Sequence, residues 1–208
     1  MRNTIKLGLT ALMAAMLFAS ALGTASARNL EVSTETFRVT WSRLEFQSSL
    51  VTIRCEVTLE GSFHSRTIPK IERLLIGSIT RISVKEESCT GGRARPERPP
   101  PWHLTYEGFT GRLPTIETIR ILMQRFQFAI IALGTTCKYG TSTDNITGSA
   151  VINVASQISN IQPLAGRNIA NLLEGGGLCP PNGTLASGAG DGVLVRLNTS
   201  VRISIRLI

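Results

Sequence analysis

The sequence predicts an all-β protein: a two-layer antiparallel β-sandwich, immunoglobulin-like or jelly-roll-like, held by two disulfides. Three observations predict it. Several segments alternate apolar and polar residues with period two, glycine and proline clusters separate them, and the chain carries an even number of cysteines. Composition agrees. Of 208 residues, 42% are apolar and 17% charged, which excludes disorder, and the 19 glycines show no period of three, which excludes collagen.

Phe37, Val39 and Trp41 mark the first strand. The clearest one places Val51, Ile53, Cys55, Val57 and Leu59 on one face and Thr52, Arg54, Glu56, Thr58 and Glu60 on the other, so Cys55 points inward. Residues 76–84 read as a strand with Ile82 and Val84 on one face, and residues 102–107 as a short one. Residues 118–133 are long for one strand, and their apolar phase changes near Met123. Ile119, Ile121 and Met123 share one parity; Phe126, Phe128 and Ile130 share the other. A bulge, or a bend between two strands, accounts for that change. Residues 150–158 and 193–197 follow. The last strand turns Val201, Ile203, Ile205 and Leu207 inward and Arg202, Ser204 and Arg206 outward. The set amounts to eight to ten strands. Turn signals lie at Gly91-Gly92, at residues 175–177, at residues 180–183 and at residues 187–192. Residues 168–174 alone look helical. The proline-rich stretch 93–101 reads as an exposed basic loop.

Arg2 and Lys6, the apolar run 7–22 and the small-x-small triplet Ala25-Ser26-Ala27 have the form of a Sec-type signal peptide, residues 1–27, cleaved after Ala27. Its removal leaves one secreted domain, residues 28–208, and lowers the formal charge from +8 to +6, because Arg2 and Lys6 leave with it. In an exported chain Cys55, Cys89, Cys137 and Cys179 read as two disulfides. Four cysteines allow three connectivities. Sequential pairing, Cys55–Cys89 and Cys137–Cys179, closes the shortest loops without crossing and is favoured. A structural zinc site is disfavoured, since no two cysteines have the required close spacing.

Chemistry-bearing residues are few. His64 and His103 are the two histidines, and Asp144 and Asp191 the two aspartates. No nucleophile elbow, metalloprotease helix, calcium loop or phosphate-cradling glycine loop is present, so no catalytic residue, metal or cofactor is expected. Glu56 and Glu60 beside Arg54 have the pattern of a solvated strand face. Three glycosylation sequons, at Asn145, Asn182 and Asn198, read as chance in a chain whose 18 arginines and 4 lysines look bacterial. The basic excess is the one feature that points to a partner. Arg202 and Arg206, with Arg196, project from the last strands, and such a face attracts an anionic or carbohydrate polymer of the cell envelope. Specific nucleic-acid reading is not expected, because stacking aromatics are too few.

Trp102, His103 and Tyr106 follow the rigid Pro99-Pro100-Pro101 run and so stand near a loop mouth. In an extended strand Trp102, Leu104 and Tyr106 point to one side and His103 to the other. Two readings stay open: a contact patch in which aromatic rings stack on a ligand, or a strand filling the core.

The segments 53–65 (IRCEVTLEGSFHS) and 101–114 (PWHLTYEGFTGRLP), the four cysteines and the closing RISIRLI resemble a group of small exported β-proteins of soil actinobacteria. The resemblance implies location and fold and brings no activity or site. The expected function is a secreted, non-catalytic protein that binds or builds at the cell surface. The alternatives are an accessory module acting through another protein and a secreted hydrolase with an unrecognised site.

Overall fold

A computed structural model describes residues 29–141, 145–153, 155–164, 168–188 and 190–208. The expected signal peptide and Asp144 lie outside these residues. In chain order the strands are β1 (Asn29–Val32), β2 (Thr36–Ser48), β3 (Thr52–Phe63), β4 (Thr67–Pro69), β5 (Leu75–Thr90), β6 (Arg93–Pro96), β7 (Trp102–Arg112) and β8 (Thr115–Gln124). There follow β9 (Gln127–Ala132), β10 (Thr135–Gly140), β11 (Asn145–Ile152), β12 (Ile158–Pro163), β13 (Ile169–Glu174), β14 (Asn182–Ala186), β15 (Val193–Arg196) and β16 (Ile205–Leu207).

The architecture is all-β and sandwich-like, made of curled antiparallel sheets. Thirteen strands form one sheet in the order β12-β11-β8-β7-β5-β3-β2-β14-β13-β10-β9-β6, with β15 also on β2; β16-β1-β4 form a second. Period-two patterning drives the central strands. In β3 every second residue is buried over the whole length, from Ile53 to Phe63.

Strand β2 belongs to two parts of the sheet at once. Its first half, from Phe37 to Thr40, pairs with β15; its second half, from Glu45 to Ser48, pairs with β14. The register slips between Trp41 and Leu44, where one half gives way to the other. The sheet then curls until β12 meets the chain entering β15: Ile161 and Gly192 exchange two backbone hydrogen bonds of 2.7 Å. The small sheet caps one end. Its Leu30, Ile68 and Ile205 meet Phe63, Ile76, Tyr106 and Ile119 of the large sheet around a small void.

The disulfides are Cys55–Cys89, joining the neighbours β3 and β5, and Cys137–Cys179, tying the loop after β13 to β10. Both follow the sequential pairing.

Several local expectations change. Among the described residues sixteen strands replace eight to ten: β1, β4 and β6 are too short to display a period, and β10, β13 and β14, though longer, lack a clean alternation. Residues 168–174 are not helical: residues 169–174 form β13, paired with β10 and β14, and ladder hydrogen bonds on both sides override the helix preference of its leucines. Residues 93–96 of the proline-rich stretch are β6, with Ala94 and Pro96 opposite Ile130 and Phe128. Residues 150–158 are the end of one strand and the start of another, separated by a turn in which Asn153 Oδ1 accepts from the N–H of Ala155 and Gln157. Val201 is exposed, since residues 197–200 turn back and only Arg202 bridges to Val195. The phase change in residues 118–133 is a bend between strands. Arg125 adopts φ 69°, and the chain passes from β8, paired with β7 and β11, to β9, paired with β10 and β6.

Candidate functional site

The structure decides the fate of the aromatic patch. Trp102 is 1% exposed and Tyr106 3%, so both are core residues and the contact-patch reading is overturned. Trp102 Nε1 donates to the Arg98 carbonyl at 3.0 Å, and its ring meets Phe126 edge-on at 5.0 Å. Trp102, directly after the proline run, thus enters the core. Burial pushes the Tyr106 phenol above its ordinary range, while the charge of Arg120 pulls it partly back. His103 is half-buried opposite Ser78, on the other side of the strand.

The two candidate arginines meet other partners. Arg202 Nη1 donates to the Ser159 carbonyl, and Arg206 Nε donates to Glu31 Oε2 at 2.6 Å. Arg66 approaches the same carboxylate at 3.6 Å. Across the outer face of β2, β3 and β5, Arg38, Glu60 and Arg81 stand in register, and Arg54 pairs with the buried carboxylate of Glu45. Opposite charges thus alternate over this face. Among the described residues no three His, Cys, Asp or Glu side chains gather as a metal site.

The feature that sequence reasoning missed is internal. Inside the curled sheet lies an apolar cavity of about 160 Å³. Aromatic residues from both parts of the sheet wall it: Phe37, Trp41 and Phe46 of β2, Phe63 of β3, Trp102 of β7, and Phe126 and Phe128 near the bend. Ile53, Ile79, Ile121, Met123 and Ile130 add aliphatic surface, and Cys55 contributes its half of a disulfide. On β11 the inward positions are Ile146, Gly148 and Ala150, so two of three are small and leave the space open. A Cβ built on Gly148 would find no heavy atom nearer than 3.8 Å.

The wall also comes near the surface. β5 pairs with β7 only from Leu75 to Ile79, and beyond Ile79 no strand among the described residues pairs with that edge. Ile82 and Val84, half-buried on this stretch, belong to the wall, and exposed Pro96 of β6 borders it.

No protein-family model matches this chain, and neither a curated protein nor a solved structure matches it.

Proposed function

We propose that this chain acts outside the cytoplasm as a non-catalytic binding protein whose ligand is a small hydrophobic molecule held inside the curled sheet. The cavity of about 160 Å³ carries the reading. A well-packed core holds few voids larger than a water molecule, whereas an apolar cavity of this order accepts organic molecules. Among the described residues the side chains facing the cavity include no acid, base or nucleophile, which favours binding over catalysis. The export-type residues 1–27 and two disulfides that a reducing cytosol would not preserve support an extracytoplasmic location.

The test is a panel of toluene, indole, decanol and decanoate, read by methyl chemical shifts of Ile53, Ile79 and Ile130 and by thermal midpoint. At least one compound is expected to shift these methyls and raise the midpoint, and Gly148→Val is expected to abolish both effects by filling the space. If none of the four binds, the reading fails; it fails equally if Gly148→Val folds and binds as before.

A second reading, attachment to an anionic envelope polymer, rests on the two guanidiniums of Arg66 and Arg206 converging on the single carboxylate of Glu31. Retention on acidic polysaccharide that is lost in high salt and in Arg66→Ala/Arg206→Ala is its expected signature.

A further inference from the structure

Resting on the reading of the cavity as a ligand site, we infer that the site takes an uncharged, compact hydrocarbon or aromatic molecule, about the size of one six-membered ring, and rejects anions of the same shape. The argument is an accounting of polar atoms along the wall. Trp41 Nε1 already donates to the Ile161 carbonyl at 2.9 Å, and Trp102 Nε1 to the Arg98 carbonyl. Arg95 stands opposite Ala129, alternating away from Ala94 and Pro96, and its Nε donates to Glu97 Oε1 at 3.1 Å. Gln162 stands opposite Ser149, alternating away from Ile161 and Pro163. Cys55 is in a disulfide. The remaining described wall side chains are apolar.

A carboxylate entering such a space would leave water and meet no donor on the described side chains that face inward, a transfer that is strongly unfavourable. A neutral ring meets the faces and edges of Trp41, Phe46, Trp102, Phe126 and Phe128, where aromatic pairs gain beyond area burial. The size follows from comparison: a cavity of about 150 Å³ lined by Leu, Ile and Phe binds benzene.

Toluene and benzoate separate the possibilities, since they share a ring and differ in charge. Each is titrated into the purified protein while the methyl shifts of Ile53, Ile79 and Ile130 are followed. Toluene is expected to bind on the order of a hundredfold or more tighter than benzoate, and Gly148→Val to lose toluene. Gly148→Ala, which adds one methyl, is expected to weaken toluene binding and serves if the valine variant does not fold. Benzoate or decanoate binding as tightly as toluene overturns the neutral class and leaves the cavity reading standing. Binding of no compound, charged or neutral, overturns both.

Discussion

The side chain of Asn168 stands in for a strand beside Thr147. Its Oδ1 accepts from the Thr147 N–H at 3.0 Å, and its Nδ2 donates to the Thr147 carbonyl at 2.9 Å. Both residues are buried, so the amide satisfies two main-chain groups that water does not reach. Asn168→Ala strands the Thr147 N–H, while the Thr147 carbonyl keeps the Leu164 N–H at 2.8 Å, and a loss of about 1–3 kcal/mol is expected in denaturant unfolding. Asn168→Asp adds a sign. A carboxylate still accepts from the N–H but faces the carbonyl oxygen with negative charge, so its folded pKa rises above the unfolded value. The protonated form is then the stabilising one: the variant gains stability as pH falls and loses it as pH rises through the folded pKa. An Asp variant whose stability does not increase on acidification would contradict this geometry.

A tyrosine in the other part of the sheet sets the alkaline limit. Tyr139 OH donates to the Pro180 carbonyl at 3.0 Å, beside the Cys137–Cys179 bridge, and burial pushes its phenol above the ordinary 10.0. Tyr106 is raised in the same direction. A raised folded pKa contributes stability that is complete below the unfolded value and is lost as pH climbs through the folded one. The unfolding midpoint is therefore expected to hold near pH 8 and drop above about pH 10. Tyr139→Phe costs about 1 kcal/mol at neutral pH through the lost hydrogen bond, yet flattens the alkaline drop. Midpoints of the two proteins across that range check it, and parallel curves would contradict it.

The β9–β10 hairpin carries a correctable strain. Ala132 pairs with Thr135 across a two-residue loop, Leu133-Gly134, with φ 51° and 75°. Positive φ at both positions is the type I′ turn, which prefers Asn-Gly. Leucine pays for this conformation with a side-chain clash worth about 1 kcal/mol, and here it gains no burial, being 79% exposed. Leu133→Asn is expected to stabilise the protein by roughly 0.5–1 kcal/mol. An unchanged or lower thermal midpoint would rule this out.

How much of this was legible follows from strand length and parity. Long alternating strands announce themselves, so β3 and the inward Cys55 were readable, and with them the disulfide framework. The phase break at Met123 was readable too, because parity cannot change within one flat strand. β13 was not: Ile169, Ala170, Leu172 and Leu173 fit either period, and only the flanking strands β10 and β14 decide. The cavity left one trace, Gly148 and Ala150 at inward positions, but small residues signal space only once Ile121 is known to stand across from Gly148. The proline run before Trp102 misled, since rigidity before an aromatic residue says nothing about which side it enters.

Trp102 links stability to the cavity. Its ring is wholly buried, forms part of the cavity wall and packs on Phe126. Trp102→Ala removes a large core side chain and is expected to cost about 3–5 kcal/mol. It also enlarges a cavity that is already apolar, so the variant gains room that the parent lacks. A two-ring neutral compound such as naphthalene should then bind the variant more tightly than the parent. Because a ligand bound only to the folded state raises stability by mass action, naphthalene should recover part of the lost midpoint in Trp102→Ala and have little effect on the parent. Phe126 should report the event through its ring protons, since it is the aromatic that Trp102 leaves exposed to the new space. A surface role for Trp102 gives the opposite pattern: an unchanged midpoint and no response to naphthalene in either protein.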